Sequence, residues 1–129
     1  MKVYLAGKYQ DKERCSDIMR LLEDEGDTIT CDWTHHKYSD EAYPKQYCQD
    51  DLDGVKACDV FVGVFLDAFD YRGALVEFGI ALGLDKKIVL LGHAIDSCIF
   101  THHPDIIKVE NVGELLYNMS TLAEQYDCP

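Results

Sequence analysis

The chain has 129 residues, enough for one domain with a real core and too few to divide comfortably into two. Its 47% hydrophobic and 28% charged residues are those of a soluble globular protein. No run approaches the roughly 18 apolar residues of a membrane helix, and the start of the chain has no secretory pattern, so the expected location is cytoplasmic. Twelve basic against twenty-four acidic residues give a formal charge of −12 with no offsetting basic cluster, which argues against polymeric nucleic acid, while a small anionic ligand would need a local donor site.

Lys2–Ala6 (KVYLA) is a short β-rich run ending at Gly7. Residues 11–25 then carry Cys15, Ile18, Met19, Leu21 and Leu22 at helical spacing before Gly26 stops them. Residues 27–33 (DTITCDW) alternate as a second strand and run into a polar loop at 34–43. Pro44 suits a first helical turn, and residues 45–58 continue as a helix with Tyr47, Leu52 and Val55 on one side. Residues 59–66 (DVFVGVFL) form a nearly continuous apolar run, the mark of a central strand covered on both faces. A helix over 73–84, a strand at Lys87–Leu91, a short strand over 106–109 and a last helix over 112–126 complete the series. No repeat or linker interrupts it, so residues 1–129 read as a single domain.

Strands alternating with helices imply parallel βαβ units with right-handed crossovers. Five strands predict a flavodoxin-like α/β three-layer sandwich of order 2-1-3-4-5, in which ligands bind beyond the carboxyl ends of the strands where the order reverses. That rule selects the loops at 7–14, 34–43, 67–73 and 92–104.

Among them the segment DYRGALVEFGIALGL carries one carboxylate, Glu77, in a setting otherwise mostly apolar or glycine. A helix start near Gly73 would favour its anion, whereas apolar neighbours would raise its pKa. Glu77 either snorkels to water or a basic partner, or serves as a nucleophile or general base. Tyr4, on the central first strand, is either core or a buried phenol that needs an acceptor such as Glu77. Asp50, Asp51 and Asp53 point in different directions around one helix, so at most one or two reach a common site. The loop GKYQDKER offers Gly7, backbone N–H groups and Lys8, Lys12 and Arg14 to a phosphate, although neither the GxGxxG nor the Walker signature is present.

The six cysteines show no CxxC pair and read as reduced thiols, mostly filling the core. His35-His36 and His102-His103 are adjacent pairs that rarely share one ion, and no HExxH spacing accompanies them. No metal or other cofactor is expected.

Three ordered blocks carry a resemblance: YLAG after the first strand, DDLDGVKACDVFVGVF across the second helix and third strand, and G-x-x-x-E-x-G-x-A over Gly73, Glu77, Gly79 and Ala81. Together they resemble the nucleoside 2-deoxyribosyltransferase family, whose superfamily includes 2′-deoxynucleoside 5′-phosphate N-hydrolases. The resemblance runs from about residue 2 to residue 92 and more loosely to the end. It implies that Glu77 is the catalytic glutamate, Tyr4 its supporting tyrosine and Asp51 the aspartate of the D-L-x-x-(I/V/L) helix. Asp70 is similar to a transferase aspartate, with one extra residue separating it from the glutamate.

The implied reaction is attack of Glu77 on C1′ of a (deoxy)nucleoside or its 5′-monophosphate, followed by transfer of the sugar to another base or to water. Tyr4 would position Glu77, and Asp51 would contact the sugar hydroxyls or the base. Tyr9, Trp33 and Phe69 would wall the base or pack in the core, and Gly7, Lys8 and Gly73 would line the substrate. The family's phosphohydrolases carry an arginine and glycine-rich loop where this chain has GKYQDKER, and QYDCP is unlike the transferase tail, so phosphorylation state and acceptor stay open. The resemblance also implies a homodimer or higher homo-oligomer with shared sites. A glutamate-dependent NAD-type glycohydrolase and a non-catalytic nucleotide-sensing module remain alternatives. A phospho-acceptor receiver is excluded, because it needs acids where Ala6-Gly7 stand.

Overall fold

The computed structural model describes residues 1–37 and 43–127. Five strands, β1 (Lys2–Ala6), β2 (Thr28–Ile29), β3 (Val60–Val64), β4 (Lys87–Leu91) and β5 (Ile107–Val109), form one sheet in the order β2-β1-β3-β4-β5. Every pairing is parallel, with Tyr4 opposite Phe61 and Val62 opposite Val89. The helices are α1 (Lys12–Asp24), α2 (Tyr43–Ala57), α3 (Arg72–Gly83) and α4 (Val112–Asp127). The flavodoxin-like order read from the sequence is the one observed.

Helices α2 and α3 pack together against β1 and β3, and α1 and α4 share a crevice between Leu22, Leu116 and Met119. All five residues of β3 are buried, which is why its sequence is an unbroken apolar run. The core extends through Val3, Leu5, Phe61, Phe65 and Leu90, and among the described residues no helix is long and apolar enough to cross a membrane.

The second strand differs from its sequence reading. Instead of running over 27–33 it holds only Thr28–Ile29, because side chains beyond it compete for the backbone. Thr30 makes a last ladder bond to the Val3 carbonyl at 2.9 Å, and its hydroxyl then donates to the Gly54 carbonyl at 2.8 Å. Asp32 accepts from the Thr34 N–H at 3.0 Å and caps a single 3-10 turn, Trp33–His35. Part of the 34–43 loop lies outside the described residues. A further 3-10 turn at Ile99–His102 falls in the long connection after β4, where composition alone gave only a loop. Of the cysteines, Cys15 and Cys58 are core residues as expected, whereas Cys48 is exposed and Cys31 and Cys98 are half-buried. Cys128 lies outside the described residues.

Gly54 fixes how closely α2 approaches β1. A Cβ there would stand 2.8 Å from the Cβ of Cys31 and 3.0 Å from the Tyr4 ring. Gly54→Ala is therefore expected to push α2 outward and cost about 1–3 kcal/mol, read as a lowered urea midpoint. An unchanged midpoint would mean that the helix is not held at this contact.

Candidate active site

The first strand carries Tyr4 into the sheet interior, where its ring stacks on Phe61 with centroids 6.0 Å apart. Its hydroxyl reaches across to α3 and donates to Glu77 Oε2. Helix α3 begins at Arg72, so Glu77 lies beyond the first turn, where the helix dipole has faded. Burial decides instead. Burial raises the Glu77 carboxyl most, the Tyr4 hydrogen bond lowers it and the Asp51 charge raises it, and together they hold it at about 8. Burial, with the Glu77 charge next, drives the Tyr4 phenol far above its ordinary value, so Tyr4 stays a hydrogen-bond donor.

Asp51 projects from the second helix toward the same place. Burial raises its carboxyl, and the Cys31 thiol, donating to Oδ1 at 3.5 Å, partly offsets that. Its neighbours turn away: Asp50 accepts from Gln46 and Asp53 from Gln49, each at 2.7 Å on the exposed side of the helix. One acid of the cluster thus faces inward and two are solvated, a distinction that spacing alone could not make.

Glu77, Tyr4 and Asp51 sit in a cleft of about 610 Å³. Gly7, Lys8, Tyr9, Trp33, Asp70 and Gly73 line it as well, together with Phe69. The volume lies within the usual range for a small-molecule site. The Trp33 indole N–H is already committed to the Leu5 carbonyl at 2.6 Å, so this ring offers a wall and no donor. Lys8 bonds Asp67 at 3.3 Å and lies over the Phe69 ring, 4.9 Å from its centroid. The Lys12 ammonium lies 4.7 Å from the Tyr9 ring centroid and 3.1 Å from its hydroxyl. Asp70 is paired with Arg72 at 2.9 Å, both largely exposed at the rim.

Sequence reasoning missed Arg72, Tyr71, Val76, Ile80 and Cys48 on the cleft wall. The signal for Arg72 was present: it is a cation in the same turn as Asp70 and Gly73. Tyr71 ties that turn down by donating to the Asp67 carbonyl at 2.6 Å and packing edge-on against Phe65.

Side chains able to hold a cation converge at Asp51, itself a residue of the cleft. One donor atom each from Cys31, His36 and Asp51 lies within 4.8 Å of the others. The adjacent His35 reaches a different partner, Asp32, at 3.2 Å.

The sequence matches the family model described as nucleoside 2-deoxyribosyltransferase over residues 3–119. Among solved structures it is similar to the CMP N-glycosidase of Clostridium botulinum, at 25% identity and TM-score 0.63, covering 94% of this chain and 99% of that one. It shares the fold of the 2-deoxyribosyltransferase from the psychrotolerant bacterium Bacillus psychrosaccharolyticus, at 18% identity and TM-score 0.70, covering 89% and 90% of the two chains. No curated protein matches the sequence.

Proposed function

The chain belongs to the nucleoside 2-deoxyribosyltransferase family, and from that premise we propose that it cleaves the N-glycosidic bond of a nucleoside 5′-monophosphate with Glu77 as nucleophile. The observation that carries this reading is the part-buried Tyr4–Glu77 pair on the wall of a nucleoside-sized cleft.

In the proposed reaction the ionised Glu77 oxygen attacks C1′. The C1′–N bond breaks, its electron pair leaves with the base, and the base takes a proton from water. Water then attacks C1′ of the glycosyl ester, the carboxylate is released, and the second proton of that water returns to solvent. Tyr4 keeps one carboxylate oxygen oriented and supplies a donor that favours the charged form. Asp51 contacts the sugar hydroxyls or the base. The face of Trp33 and the rings of Tyr9 and Phe69 form the apolar walls that a base needs.

The phosphorylated substrate is supported by Lys8 and Arg72, the two cations among the described residues lining the cleft, and by the likeness to a glycosidase named for CMP. A phosphate at this rim would displace Asp67 from Lys8 or Asp70 from Arg72, exchanging one anion for a more highly charged one. The oligomer expected of the family has a physical correlate in α3. This helix leaves Val76 63% exposed, and Leu84 just past its end 49%, beside glycines at 73, 79 and 83 that would not obstruct a neighbour.

The test is incubation with a mixed pool of nucleosides, their 5′-monophosphates and NAD, followed by chromatography with and without a labelled free base. The expected result is release of base from monophosphates with sugar phosphate as the only other product. Label appearing in nucleotide would make the enzyme a transferase. Consumption of NAD alone would move the reading to a dinucleotide glycohydrolase, and an untouched pool would leave a sensing module.

A further inference from the structure

We propose that Cys31, His36 and Asp51 bind a thiophilic divalent cation of the zinc class, and that this ion competes with substrate because both take the Asp51 carboxylate. The first half stands on geometry alone; the second rests on the function proposed above.

The three donor atoms come from two separate segments, residues 31–36 and the second helix, and lie within 4.8 Å of one another. A tetrahedral ion with bonds of about 2.0–2.3 Å holds its ligands about 3.3–3.6 Å apart, so a closing movement on the order of 1 Å completes the set. Cys31 and Asp51 already meet that spacing at 3.5 Å. Thiolate, imidazole and carboxylate together suit zinc and its neighbours, whereas magnesium and calcium call for oxygen donors alone.

A second observation points to a missing partner. Among the described residues, His36 Nδ1 is the only buried side-chain polar atom without a hydrogen bond. Its ring is held rather than loose, stacked on Tyr47 at 3.8 Å and 3° between planes. The segments that carry the other two ligands are tied together, since Thr30, the residue before Cys31, donates to the Gly54 carbonyl, one turn beyond Asp51. Ligands oriented in this way by their surroundings are what a metal site needs, and a chain of charge −12 raises the local concentration of divalent cations.

On binding, the Cys31 S–H bond breaks, a metal–sulfur bond forms, and the proton leaves to solvent. Three protein ligands leave one position open beside the substrate cleft. Asp51 lines that cleft, so an ion on its carboxylate removes it from substrate.

The experiment titrates cobalt(II) into the purified, chelator-treated and dialysed full chain and follows thiolate-to-cobalt absorption in the near ultraviolet. One cobalt per chain is expected, displaced by zinc, with the band lost in Cys31→Ser and retained in Cys48→Ser. If Cys31→Ser does not fold, His36→Gln keeps the thiol and is expected to weaken cobalt uptake about tenfold or more. Absence of the band in the wild type, its survival in Cys31→Ser, or unchanged uptake in His36→Gln overturns the site. Zinc should also inhibit base release, with about tenfold more zinc needed in His36→Gln. Equal inhibition of the two proteins overturns the competition while leaving the cobalt readout and the proposed reaction standing.

Discussion

Replacing Glu77 by glutamine is expected to lower kcat/KM by about a thousandfold or more and at the same time to stabilise the protein. Glutamine has the same shape and still accepts the Tyr4 hydrogen bond, but it cannot form the glycosyl ester. Its effect on stability follows from the proton that burial imposes. The folded Glu77 carboxyl stands at about 8 against an ordinary value of 4.5, so between those values the folded chain keeps a proton that the unfolded chain releases. That contribution is complete below about 4.5 and is lost as pH rises through about 8. The glutamine variant has no charge to bury. It should exceed the wild type by on the order of a few kcal/mol at pH 9 and by little at pH 5. Urea melts of both proteins at the two pH values check this, and a gap independent of pH would show that Glu77 is not buried as a proton-holding carboxyl.

Tyr4→Phe is the second large effect. The ring stays and the core stacking on Phe61 is kept, but the donor that favours the Glu77 carboxylate is lost. Because the attacking form is the carboxylate, kcat/KM of the wild type should rise with pH through an inflection near 8. A hydrogen bond to a charged group is worth about 1.5–3 kcal/mol, which places the variant's inflection about one to two pH units higher. At neutral pH the rate then falls about 10- to 100-fold, and much of it returns in alkaline buffer. A lowered rate with an unmoved inflection would make Tyr4 a spacer rather than a tuner of Glu77.

Most of the fold was legible because its signals are strong and local. The unbroken apolar run of β3 read as a covered strand, and five strands in βαβ alternation suggested the sheet order observed. The second strand was misjudged because Thr30, Asp32 and Trp33 look β-like by pattern, while their polar atoms bond the Gly54 carbonyl, the Thr34 N–H and the Leu5 carbonyl. Such long-range side-chain bonds leave no trace in periodicity.

The candidate site divides in the same way. Glu77 stood out as one carboxylate in an apolar helix, and topology alone brought it to the reversal of strand order. Asp51 could not be told from Asp50 and Asp53 by spacing, since which acid faces inward depends on how α2 packs against β1, a close contact that Gly54 allows. The meeting of Cys31, His36 and Asp51 was beyond reach, because the connection between β2 and α2 sets it and no motif spacing encodes it.

The sheet ends in two residues at β2 on one side and three at β5 on the other. Edges this short leave few unpaired N–H and C=O groups for another chain to zip onto, and Lys108 in β5 adds a charge there. The molecule thereby protects itself against strand-to-strand stacking and runaway fibre growth. Any contact between copies would then fall to helix surfaces, where side-chain fit rather than backbone pairing selects the neighbour.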